Sequence, residues 1–211
     1  MMTFLASLPW STILEVLGFI VGLLYLWWEY HADSRLWFAS IVMPTISMWI
    51  YLNKGLYADF AINIYYFLIA IYGYIVWTHS KHKGKTERDE ESQKEVLPIT
   101  RIPMRRASGA GAVFVILWGT LYCGLRFLTD STVPLADAFT TALSIVAMWM
   151  LARKYLEQWL AWIAVDAVCI GLYAYKGIYL YAVLYAIYTI IAVIGYRNWR
   201  KMMVEEGRAV D

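Results

Sequence analysis

A carboxylate, Asp166, stands near the middle of an apolar run that extends from about residue 156 to 174. At helical spacing Trp159, Trp162, Asp166 and Tyr173 share one face. An acid held among apolar residues over such a length is costly, and faces a cavity or a partner group. Ringed by indoles and phenols, it provides what a flat organic cation needs: stacking, cation–π attraction and a counter-ion. The plainer alternative is that Trp and Tyr anchor helices at membrane interfaces while Asp166 hydrogen-bonds a neighbouring helix.

Two more stripes carry the same pattern. Asp59, Asn63, Tyr66, Ala70 and Gly73 recur at helical spacing, and so do Tyr181, Tyr185, Tyr188, Ala192 and Gly195. Each is polar or aromatic in one half and small in the other. The small half permits close helix packing, and the wide half can line a pocket. The candidate substrate-binding residues are therefore Asp166, Trp162, Trp149, Asn63, Tyr66, Tyr185 and Tyr188. Glu15, an acid in the first apolar run that could instead sit near the outer surface, and Glu157 join them. Pro44, inside an apolar run, reads as a hinge or kink rather than a ligand.

Other chemistries find little support. His31, His79 and His82 all fall between apolar runs, and His79-x-x-His82 is a weak metal spacing beside a charged loop. Cys123 and Cys169 sit singly in apolar runs, without ligand spacing. There is no Ser-His-Asp set, no phosphate-cradling glycine loop and no ATP motif, so an enzyme is not expected. No cofactor, metal or nucleic-acid partner is expected either. A sensor or scaffold would usually add a soluble domain, and the longest loop is too short and polar for one.

The elements that must position these residues follow from composition. Of 211 residues, 61% are hydrophobic and 16% charged, with 17 Tyr and 11 Trp. A soluble domain carries roughly half apolar and about a quarter charged residues. Lipid must therefore be part of the solvent. Runs near spanning length predict an all-α integral membrane protein with seven transmembrane helices, at about 11–28, 36–52, 56–77, 110–128, 134–152, 156–174 and 178–198. The first run lacks a basic flank and continues to spanning length, so no cleavable signal peptide is expected. The stretch 78–109, with its run KHKGKTERDEESQKE, reads as a solvated loop. Lys and Arg crowd that loop, Arg35, Arg153, Lys154 and the tail at 200–211, which predicts a cytoplasmic C-terminus and an external N-terminus.

The chain also repeats itself at an offset of 122 residues. Lys54-Gly55-Leu56-Tyr57 returns as Lys176-Gly177-Ile178-Tyr179, Trp37 as Trp159, Tyr66 as Tyr188, Gly73-Tyr74 as Gly195-Tyr196, and Trp77 as Trp199. Glu15 falls on Asp137, and Pro44 on Asp166. Two three-helix repeats, 11–77 and 134–199, are thus joined by a linker helix at 110–128. The fourth helix turns the chain once more, so the triplets run parallel. Carriers built on parallel repeats bind substrate near the midplane, and the triplets are expected to rock about it.

The strings TALSIVAMWMLARKYLEQWLAWIAV (141–165), LYAYKGIYLYAVLY (172–185) and GYRNWRK (195–201) resemble the PnuC family of bacterial vitamin-precursor transporters, over nearly the whole chain. That resemblance implies a 3+1+3 fold similar to the SWEET transporters, in the bacterial inner membrane. It implies facilitated diffusion of an unphosphorylated vitamin, trapped inside by a cytoplasmic kinase. Family members carry nicotinamide riboside, thiamine or riboflavin. Nicotinamide riboside carriers are expected to have Asn where this chain has Asp166, and a carboxylate there suits the thiazolium of thiamine. DSTVP (130–134) and LARKYLEQW (151–159) also resemble the thiamine-type members. Thiamine is therefore the first expectation and nicotinamide riboside, also a cation, the alternative. A monomer and a homo-oligomer such as a trimer would read alike.

Overall fold

The computed structural model describes residues 21–53, 57–79 and 97–208. Glu15, Lys54 and the charged run at 81–95 lie outside the described residues, as does the side chain of Asp59. The described chain is all-helical: α1 (described over 21–30), α2 (Leu36–Asn53), α3 (Tyr57–His79), α4 (Met104–Leu128), α5 (Pro134–Ala152), α6 (Gln158–Tyr175) and α7 (Tyr179–Arg208). The six helices α2 to α7 are long and apolar enough to cross a membrane.

Two helices outrun their apolar segments. α4 begins at Met104 rather than near 110, and α7 continues to Arg208 rather than ending near 198. Their added turns carry Arg105, Arg106 and Ser108, or Arg200 to Glu205, residues a helix tolerates in water. The stretch 78–109 is also more ordered at its end than a solvated loop. Thr100 pairs with Tyr155 in an isolated parallel β-bridge. Its amide donates to the Lys154 carbonyl at 3.1 Å, and its carbonyl accepts from Leu156 at 2.9 Å. Ile99 is buried beside this seam.

The helix ends follow the 122-residue offset. α1 ends at Tyr30 and α5 at Ala152; α2 and α6 run from Leu36 and Gln158 to Asn53 and Tyr175; α3 and α7 begin at Tyr57 and Tyr179. The stops themselves are alike. Asp33 N donates to Trp28 O and Ala32 N to Glu29 O, while Tyr155 N donates to Met150 O and Lys154 N to Leu151 O. Each pair is a Schellman stop, which needs a left-handed residue and usually takes glycine. Here Ala32 and Lys154 take that conformation, both at φ 51°. The α6–α7 turn uses Gly177 at φ 73° for the same purpose.

The chain divides into two compact units, Met1–Ile71 and Tyr72–Asp211. In the first, Tyr25 hydrogen-bonds Ser40 and lies near Glu29 and Tyr66. In the loop before α2, the Arg35 guanidinium bonds Asp33 and holds its carboxyl below the usual range. In the second, α5 packs on α4 and on α6, and α6 packs on α7. Trp77, from the end of α3, donates its indole N–H to the Ala152 carbonyl at 3.2 Å, satisfying an orphan acceptor of the α5 terminus. The Lys154 ammonium lies 4.4 Å from the centre of the same indole.

Candidate functional site

The α6–α7 seam of the second unit holds most of the candidate residues, and its shape follows from the size of the side chains on α7. Where α7 has Gly195, the Trp159 ring of α6 lies so close that a Cβ on the glycine would come within 2.6 Å of it. Trp159 is 1% exposed and meets Trp199 edge to face at 5.7 Å. It is therefore a packing residue at the narrow end, not part of a pocket lining. At the other end the seam is filled by rings. Tyr173 stacks at 5.3 Å on Tyr181 and at 5.3 Å on Tyr185, which in turn meets Tyr188 edge-on at 5.9 Å.

Asp166 lies between these two ends. It is 6% exposed, and Tyr185 and Tyr188 are in its electrostatic neighbourhood. One turn on, Cys169 is in hydrogen-bonding contact with Tyr185. Among the described residues no cationic side chain pairs with Asp166. One turn back, Trp162 has a buried indole N–H with no hydrogen-bond partner. The structure thus brings Asp166, Tyr185 and Tyr188 together along one seam, with Trp162 one turn back on α6, and adds Tyr173, which stacks on Tyr181 and Tyr185. Chemically, this is a buried carboxyl group beside aromatic faces, with an unused N–H donor one turn away. There is no group of three or more metal-binding side chains among the described residues.

Other candidates have different surroundings. Trp149 packs three residues from the end of α5, against Tyr155 at 5.8 Å and onto the core cluster of Val146, Met150 and Tyr155, which Ile102 and Phe114 also cover. Glu157 precedes α6 and accepts the Ile102 amide at 2.9 Å, a tie between the 97–103 segment and the helix start. Both were expected at the substrate site, and their described contacts are structural. Asn63 and Tyr66 lie on α3 in the first unit, in the register that Tyr185 and Tyr188 hold on α7. Pro44 is buried within α2, where it cannot donate to the Ser40 carbonyl. Asp137, the counterpart of Glu15, accepts from Ser131 at 2.9 Å and has the Lys176 ammonium at 4.0 Å.

Sequence reasoning passed over two buried polar residues. Glu29, in α1, is 2% exposed and close to Tyr25, whereas the hydropathy reading ended that helix at residue 28. Gln158, the first residue of α6, is completely buried, and neither its oxygen nor its nitrogen has a partner. A polar residue at a helix start normally reads as a solvated cap, so nothing local marked Gln158.

The family described as nicotinamide mononucleotide transporter matches residues 12–201. The chain belongs to that family, the PnuC family. The PnuC relative from Escherichia coli (strain K12), named a nicotinamide riboside transporter, is 27% identical over 92% of this chain and 87% of its own length. A riboflavin/roseoflavin transporter, RibM of Streptomyces davaonensis, is 30% identical over 62% of this chain and 58% of its own. The crystal structure of a vitamin B3 transporter PnuC shares the fold at a TM-score of 0.62 and 23% identity, covering 88% of this chain and 80% of that one. This PnuC-family chain is accordingly a multi-pass membrane transporter and not an enzyme.

Proposed function

We propose that the protein is a facilitated-diffusion carrier for a cationic vitamin precursor, nicotinamide riboside before thiamine. Two considerations support this order. Asp166 offers a buried carboxylate with no cation of its own among the described residues, next to stacked phenol rings. A pyridinium ring would supply both the missing charge and a face for stacking. Relatives spanning most of the chain are named for nicotinamide riboside, which supports that substrate over the thiamine that the sequence strings put first. Thiamine remains the second reading because a carboxylate, rather than Asn, occupies position 166. Trp162, Tyr185 and Tyr188 would line the same site, and Asn63 and Tyr66 hold the register on α3 that Tyr185 and Tyr188 hold on α7.

The 122-residue register supports reading the helices as two parallel triplets around a linker, in the 3+1+3 order, with Pro44 as a hinge. The C-terminus is cytoplasmic, where most Lys and Arg lie, and a kinase there traps the arriving vitamin. Proton coupling is unnecessary to this scheme. The deciding experiment titrates purified protein with nicotinamide riboside and with thiamine, following Trp fluorescence, beside Asp166→Asn. Exchanging a charge-assisted contact for a neutral one should weaken binding about tenfold or more. Preference for thiamine would overturn the substrate assignment. Undiminished binding by Asp166→Asn would overturn the site.

A further inference from the structure

Along α6 the residues Gln158, Trp162, Asp166, Cys169 and Tyr173 follow spacings of four, four, three and four. At 100° per residue they fall on one narrow face along nearly the whole helix. Each residue of the stripe carries a hydrogen-bonding or titratable group, and at its start two neighbours have unused hydrogen-bonding capacity. Gln158 is 0% exposed with both amide atoms unpartnered, and the Trp162 indole N–H is buried and unpartnered too.

The other repeat shows that the fold does not need this amide. The position equivalent to Gln158 is Leu36, the first residue of α2, and it is just as fully buried. An apolar side chain therefore fills that slot in the same local structure. A buried amide without partners is a cost that packing does not require. Unsatisfied polar atoms on a substrate-facing stripe are what a hydroxyl-rich ligand would satisfy.

We propose that Gln158, with the Trp162 indole, is the hydrogen-bonding station for the sugar hydroxyls of a nucleoside whose cationic ring is held at Asp166. This rests on the functional reading above. Trp162 lies ~6 Å and Gln158 ~12 Å along the axis from Asp166, so sugar hydroxyls extending from the ring meet first one and then the other. The amide carries both a donor and an acceptor, as a hydroxyl does. Leu at this position would keep the bulk and remove both.

The test is nicotinamide riboside uptake into proteoliposomes by wild type, Gln158→Leu and Gln158→Met, with a deoxyribosyl analogue as competing substrate and the melting temperature as a folding control. Both variants should melt at or above the wild-type temperature. Each should lose about tenfold in uptake efficiency, and the wild-type preference for ribosyl over deoxyribosyl substrate should vanish. A merely structural glutamine would leave that preference intact. Variants that are folded and keep both rate and preference overturn the station while leaving the carrier reading in place. A wild-type protein that carries no nicotinamide riboside overturns both. If Leu destabilises the fold, the unbranched Met variant carries the comparison, and lower melting of both variants overturns the argument from Leu36.

Discussion

Gly195 offers the sharpest quantitative test of the α6–α7 seam. A methyl group added there would lie 2.6 Å from Trp159 Cη2 and 2.7 Å from both Cζ2 and Cζ3. Carbon atoms in ordinary contact sit about 3.5–4 Å apart, so one of the partners must move by roughly 1 Å. Trp159 has little room to retreat, being 1% exposed with Trp199 edge-on at 5.7 Å. Overpacking of this kind costs about 1–3 kcal/mol, and the geometry puts Gly195→Ala toward the upper end. For a chain of this length each kcal/mol lowers the melting temperature by about 2–4 °C. The apparent melting temperature of detergent-purified protein should fall accordingly. Trp159→Phe removes the distal ring atoms that the methyl group strikes, and it sacrifices no hydrogen bond because the indole N–H has none. In that background Gly195→Ala should be nearly neutral, a coupling of about 1–3 kcal/mol between adjacent sites. An equal loss in both backgrounds, or none in the wild type, would refute the contact.

The two ends of the repeat give further outcomes. Ala32→Gly should leave stability unchanged or raise it by up to about 1 kcal/mol, because glycine avoids the left-handed penalty that Ala32 bears at φ 51°. Thermal melting checks this, and a loss near 1 kcal/mol, as in an ordinary helix interior, would contradict the Schellman assignment. Glu157→Ala should destabilise by about 1–3 kcal/mol through loss of the acceptor for the Ile102 amide. Glu157→Gln should cost less, and folded protein of either variant should keep wild-type affinity, measured by the fluorescence titration. Loss of affinity in folded Glu157→Gln would restore Glu157 to the binding site.

The sequence was most informative where the physics is local. Apolar runs placed the described membrane-crossing helices, and the 122-residue register matches the ends of α1 and α5, both ends of α2 and α6, and the starts of α3 and α7. It was least informative where one surface is covered by another far along the chain. Ile99 and Ile102 look like stray apolar residues in a polar loop, yet their segment pairs with Tyr155 and Glu157, more than fifty residues later. Trp149 looked like a pocket residue because aromatic rings and helical spacing cannot distinguish a ligand from a partner such as Tyr155. Trp159 shared a helix face with Asp166, but the absent side chain of Gly195 drew it into packing. The stripe on α7 was legible because its small positions, Ala192 and Gly195, and one of its large ones, Tyr188, repeat those of α3.

The repeats share their scaffold and differ in their chemistry. Both use the same helix starts and the same left-handed stops, set by backbone hydrogen bonds that any side chain permits. On the face where α6 carries Gln158, Trp162, Asp166, Cys169 and Tyr173, α2 carries Leu36, Ser40, Pro44, Ser47 and Tyr51. Only the outermost tyrosine agrees. The acid of α6 therefore answers to a proline on α2, and a proline deprives the Ser40 carbonyl of its helical donor. Ser40 spends its own hydroxyl on the Leu36 carbonyl at 3.0 Å, which leaves that turn weaker in backbone support than its neighbours. A weakened turn lets a helix bend at modest cost, whereas the unbroken turns of α6 keep its polar stripe rigid. On the proposed reading, α6 would hold its polar groups in place for a ligand, whereas α2, with Pro44 at the position of Asp166, has the turn better suited to bending.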